Sequence, residues 1–275
     1  MHVRACLEPF STSRNIVRLV YSKKLHKCRS IDVLVRKYFR GQTMKAVLKI
    51  GGSLLYDKDG QIRIDRLREY AESIKTLVEA GHSLVVVVGG GKPARVFISA
   101  ARELGASEAQ CDWLGIKLAR NNAELLSAAL GNLAYPKIID DFDELEVAIN
   151  LGGKVVLLGG MIPGQSTNAV AAASAELIDA DILFNATNVD GVYDRNPEEK
   201  GAKKLDTVSI PQLRGILSSE GTRAGEYNLF DPVAIGIVER SKIPTVIFNG
   251  NNPENLTKAF NKEKIGTTIV HDTNK

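Results

Sequence analysis

The chain has 275 residues, 44% of them apolar and 25% charged, which is long enough and apolar enough for a sizeable core. No apolar run reaches the roughly 18–20 residues of a bilayer span, and Cys6, Cys28 and Cys111 are too scattered for a disulfide framework or a zinc site, so a reducing, cytoplasmic setting is expected. The net charge of +4 is uneven: residues 1–43 carry ten Lys or Arg against Glu8 and Asp32, leaving 26 basic and 30 acidic residues after them, so the balance does not argue for a nucleic-acid partner.

Residues 1–43 are Arg- and Ser-containing and poor in acids. They read either as a targeting segment or as an extension upstream of a true start at Met44, and the second reading is preferred. Met44 directly precedes "AVLKI", a short strand, followed by "IDRLREYAESIKTLVEAG", an amphipathic helix stopped by Gly81. "SLVVVV" is a second strand and "PARVFISAAREL" a second helix, and residues 108–130 have the spacing of a longer one. "KVVLL" predicts a third strand, "TNAVAAASAELI" a helix and "DILFNA" a fourth strand. Residues 210–217 and 232–241 look helical, "TVIF" is a strand, and "TTIV" is placed to close the sheet. Val/Ile runs without in-out alternation belong to strands buried on both faces, so the expected fold is a three-layer αβα sandwich on a mostly parallel sheet. A soft division into two lobes is expected near residue 158.

Three strands end in glycine: "LKIGGS" (48–53), "VVGGGK" (87–92) and "LLGGM" (157–161). One such turn is often only a turn. Three along the carboxyl edge of a parallel sheet form a cradle whose backbone N–H groups and helix N-termini suit phosphate. Neither G-x-x-x-x-G-K-[ST] nor G-x-G-x-x-G is present. Lys49 lies inside an apolar strand, where its charge needs a partner, either a bound polyphosphate or a core carboxylate. Arg95 follows the triplet by one helical turn and can bind an anion bidentately, whereas Lys92 reads as a solvated lysine at the helix start. His2, His26, His82 and His271 suggest no nucleophile–base pair, and no metal-ligand spacing is present. "IDDFDELE" (139–146) reads as a capped helix start facing water. Phosphoryl transfer fits this inventory, because it rests on positioning and charge neutralisation.

Together with "CDWLGI", "GGMIPGQSTNAVAA", "ATNVDGVYDRNP" and "AGEYNLFDPVAIGIVERSKI", these segments resemble the amino-acid kinase superfamily and, within it, the archaeal-type uridylate kinases. The resemblance runs from Met44 to about Val270. It implies transfer of the ATP γ-phosphoryl group to UMP, with magnesium carried mainly by the nucleotide and no metal site built from the protein. It implies that Lys49 stabilises the transferring group with Gly51, Gly52 and Ser53, that Gly90 touches UMP, and that Gly91 and Arg95 approach the phosphates between donor and acceptor. Asp112 would accept from the ribose hydroxyls, although as a bare residue it also reads as a helix cap. Met161, Ile162, Pro163, Gly164, Gln165, Ser166 and Thr167 would hold uracil and the acceptor phosphate. Thr187, Asn188, Tyr193 and Asn196 would form the ATP side, with Tyr193 near adenine, and a homohexamer is implied. Asn168 and Asn196 stand where many relatives have aspartate. Isopentenyl phosphate kinase, whose glycine loop typically leads into a histidine where this chain has Arg95, and a non-catalytic nucleotide- or oxyanion-storage protein are the rival readings.

Overall fold

The computed structural model describes residues 43–195, 199–217 and 230–271. Contacts divide the chain into Met1–Thr43 and Met44–Lys275, and the fold is that of the second unit. Its strands are β1 (Lys45–Ile50), β2 (Ser83–Val88), β3 (Ala134–Ile139), β4 (Val155–Leu158), β5 (Ile182–Thr187), β6 (Thr207–Ser209), β7 (Thr245–Asn249) and β8 (Thr267–Val270). Its helices are α1 (Ile64–Glu79), α2 (Gly91–Glu103), α3 (Glu108–Leu130), α4 (Phe142–Leu151), α5 (Thr167–Leu177), α6 (Ile210–Leu217), α7 (Pro232–Ser241) and α8 (Glu254–Phe260).

The strands form one sheet in the order β3-β4-β2-β1-β5-β7-β8-β6, parallel throughout except where β8 runs antiparallel to β7. Strand alternation divides the valine run of β2 between two cores. Val85 and Val87 join the cluster beneath α5 and α7, while Leu84, Val86 and Val88 join the cluster beneath α1, α3 and α8. Both faces are therefore covered, which is why the run shows no polar alternation. Alanines at 169, 171, 172 and 175 let α5 lie close on its face. The expected three-layer sandwich is the observed one, and β1–β4 and β5–β8 form adjacent halves of one continuous sheet.

Three differences from the sequence reading have physical causes. The strand β3 was not anticipated, since Pro136 interrupts it; as an edge strand it tolerates the missing N–H, and its register to β4 shifts between Ala134 and Ile138. "TTIV" does not close the sheet, because β8 lies between β7 and the three-residue β6, which is too short to announce itself in a hydrophobic pattern. The short helix α8 was likewise missed.

Candidate active site

Strands β4, β2, β1 and β5 are consecutive and parallel, so their carboxyl ends form one continuous edge. The glycine turns of β1, β2 and β4 lie on it beside Thr187 at the end of β5. The turns are glycine mainly because backbone meets backbone there. A Cβ on Gly52 would lie 2.2 Å from the Gly91 nitrogen and 2.4 Å from the Gly89 oxygen, so the first two turns interlock. A Cβ on Gly159 would lie 2.5 Å from the Arg120 nitrogen of α3. Left-handed backbone is needed only at Gly91 among these three turns, with φ +71°.

Lys49 points from β1 to the α5/α7 side, level with Asn185 of β5, and is 5% exposed. A Cβ on Gly51 would lie 3.8 Å from its Nζ, so the ammonium sits against the first turn. Burial lowers its pKa from 10.5 to about 8, opposed by the charge of Asp231. Among the described residues no carboxylate is within ion-pair distance of it. Asp231 caps α7 through Val233 N–H and Ala234 N–H at 3.0 and 3.1 Å, and its other oxygen accepts from the Ser166 hydroxyl. Ser166 in turn caps α5, accepting from Asn168 N–H and Ala169 N–H at 3.0 and 3.1 Å. Two helix N-termini thus converge near the buried lysine, and that of α2 opens from the second turn; all three favour an anion. The Ser53 hydroxyl oxygen, in the first turn, is buried with no hydrogen-bond partner among the described residues, as is Gln165 Oε1, which is the state expected of groups that complete their bonding with a ligand.

The other predicted residues fall as follows. Gly90 packs on α3, where an added Cβ would meet Gly115 O at 3.3 Å. Arg95 is exposed one turn into α2, and among the described residues it forms no ion pair. Lys92 is exposed, as expected, and donates to the Lys58 carbonyl at 2.5 Å. Asp112 is not a helix cap: Ser107 caps α3 in a capping box with Gln110, and Asp112 accepts from Gly164 N–H at 2.8 Å. That bond tethers the Met161–Thr167 loop, in which Pro163 and Gly164 (φ +81°) make a tight turn closed by Gln165 N–H to Ile162 O at 3.3 Å. Met161 is buried and Ile162 exposed. Thr187 is buried at the end of β5, and its carbonyl accepts from Gly250 N–H at 2.7 Å. Asn188 is exposed next to it. Tyr193 is bridged to Lys204 and donates to Asp190 at 2.8 Å. Asn196 lies outside the described residues. The edge therefore assembles Lys49, Gly51, Gly52, Ser53, Gly90, Gly91, Arg95 and the loop to Thr167, with Thr187 and Asn188 alongside; Tyr193 stands in the segment after β5.

Sequence reasoning missed Asp231 and Asn122. For Asp231 the signal was present as Asp-Pro before an apolar helix, the pattern of an N-cap followed by a first-turn proline. The acidic stretch at 139–146 is a helix start as expected, with Asp141 capping α4. Its group Asp140, Asp141 and Glu144 is engaged by Lys137, at 3.3 Å from Asp140 and 2.6 Å from Glu144, and by Arg120, at 3.4 Å from Asp140.

A parallel sheet whose central strands end in interlocked glycine turns, beside converging helix N-termini and a buried lysine with no ion-pair partner among the described residues, defines an α/β protein built to handle phosphate groups. The amino acid kinase family pattern matches residues 44–249. A uridylate kinase of Methanobrevibacter smithii is 44% identical over 228 residues, covering 82% of this chain and 99% of that protein. The crystal structure of uridylate kinase from Archaeoglobus fulgidus, 44% identical, superposes with a TM-score of 0.71 over 82% of this chain and all of that one. A UMP kinase structure from Ureaplasma parvum shares the fold at 22% identity, with a TM-score of 0.71 over 83% of this chain and 99% of that one. The chain belongs to the amino acid kinase family.

Proposed function

We propose that the chain is an ATP-dependent UMP kinase: an oxygen of the UMP phosphate attacks the γ-phosphorus of ATP, the bond to the β–γ bridging oxygen breaks, and UDP and ADP result. The observation that carries this reading is Lys49, a buried ammonium without an ion-pair partner among the described residues, set beside the first glycine turn. Its similarity to archaeal uridylate kinases over nearly their whole length supports the choice of acceptor.

In this reading Lys49 neutralises charge on the transferring group while amides at Gly51, Gly52 and Ser53 hold the donor phosphates. Gly91 and Arg95 address the phosphates between donor and acceptor, and Gly90 meets UMP. The second oxygen of Asp112 faces the ribose, and Met161–Thr167 encloses uracil and the acceptor phosphate. Thr187, Asn188, Tyr193 and Asn196 form the nucleoside side of ATP. Magnesium, when bound, neutralises the β- and γ-phosphates. Asp231, the carboxylate nearest Lys49 in charge effect, already accepts hydrogen bonds at both oxygens, so the residues fit an ion that arrives on the nucleotide better than one held in a protein cage. The assembly is proposed to be a homo-oligomer, a hexamer by resemblance, supported by exposed Val96 and Phe97 on α2, Leu104 at its C-terminal end and Trp113 on α3. A cytoplasmic location belongs to the same proposal; no helix among the described residues is long and apolar enough to cross a membrane. Coupled measurement of ADP release with UMP tests the reading: turnover with UMP is expected, and ATP binding without turnover on any acceptor contradicts it.

A further inference from the structure

Asn122 lies about four turns into α3, is 1% exposed, and sits beside Ala123 and Leu126 of the core. A leucine there would pack without desolvating an amide, so the polar group calls for an explanation. Its Nδ2 donates to Gly89 O at 2.7 Å and to Gly90 O at 3.2 Å, while its Oδ1 accepts from the Tyr56 hydroxyl at 2.5 Å. Carbonyl oxygens only accept, so the amide nitrogen must face the triplet, and Tyr56 must donate to the oxygen that remains. The orientation is fixed by all three partners together. Burial pushes the Tyr56 pKa up, which keeps it a donor.

A trans peptide points its N–H opposite to its C=O. Holding the carbonyls of Gly89 and Gly90 on the α3 side therefore turns the N–H groups of Gly90 and Gly91 away from α3. Neither N–H donates to another backbone group among the described residues, and they are the first orphan donors of α2. Arg120, half a turn earlier on α3, treats the third glycine turn in the same way. Its Nε donates to Gly160 O at 2.9 Å and its Nη2 to Met161 O at 3.2 Å.

We infer that Asn122, locked by Tyr56, is a positioning residue that holds the glycine triplet with its amide N–H groups presented to phosphate, and that turnover depends on it. The inference deepens the UMP kinase reading and rests on it. It is tested with the full chain and its Asn122→Leu and Tyr56→Phe variants, by steady-state kinetics with ATP and UMP, calorimetric binding of AMP-PNP, and thermal melts. Asn122→Leu is expected to lower kcat about 100-fold and weaken AMP-PNP binding about tenfold. Tyr56→Phe, which leaves the packing nearly intact, is expected to lower kcat about fivefold. If Asn122→Leu is folded at the assay temperature and keeps kcat, both KM values and AMP-PNP affinity within twofold of the parent, Asn122 only packs and the inference is overturned. If it does not fold, Tyr56→Phe decides, and unchanged kcat and AMP-PNP affinity overturn the inference. A parent that binds AMP-PNP but does not turn over UMP contradicts the acceptor assignment alone, and AMP-PNP binding by the variants then decides the role of Asn122.

Discussion

Lys49 is buried beside the first glycine turn, where the proposed reading sets it against the transferring phosphoryl group. Its pKa, lowered to about 8 by burial, means that the unfolded chain binds its proton more tightly than the folded chain does. The Lys49 contribution to stability is therefore lowest below pH 8 and climbs as pH rises from about 8 toward 10.5, by roughly 3 kcal/mol. Lys49→Met should abolish this climb, as read from denaturation midpoints between pH 7 and pH 10. It should also lower kcat by about 1,000-fold, the scale on which lost transition-state charge stabilisation is felt. In the proposed reading the charged form binds phosphate, so kcat/KM for ATP is expected to fall above pH 8. Bound phosphates raise the pKa again, so kcat should persist to higher pH; coincident pH profiles for the two constants would remove Lys49 from this role.

At the scale of elements, the site is held by contacts between turns and helix ends. Gly52→Ala forces a Cβ to within 2.2 Å of the Gly91 nitrogen and 2.4 Å of the Gly89 oxygen. Backbone must then move, and a loss of about 3 kcal/mol or more in stability is expected in thermal melts, together with loss of ADP release. Ser166→Ala removes the cap of α5 and the hydroxyl that Asp231 accepts; a cost of about 1 kcal/mol is expected from the cap, readable in urea midpoints. The strands that carry the site were legible in the sequence because burial on both faces leaves an uninterrupted apolar run, and a lysine or a glycine pair stands out against it. Asn122 was not legible. It follows Asn121 in the same helix, one exposed and one buried, and only the packing of α3 against the triplet distinguishes them. Asp231 reads as an ordinary cap until α5 and α7 are brought together by the fold. Arg95 stands where the sequence places it, one turn after the triplet and exposed, and a phosphate partner for it belongs to the proposal.

For the whole molecule, the core residues among those described lie from position 46 onward, and the family match begins at residue 44. A chain starting at Met44 is therefore expected to melt within about 2 °C of the full chain, a shift of no more than about 1 kcal/mol for a domain of this size, and to keep its kcat. A large loss of either would assign residues 1–43 a part in the fold. The acceptor is the central claim. It is tested most directly by coupled ADP release from the full chain with ATP and, in parallel, UMP, CMP, isopentenyl phosphate or no acceptor. Turnover that is fastest with UMP and at background without acceptor is predicted. Turnover with isopentenyl phosphate and none with UMP would contradict the account.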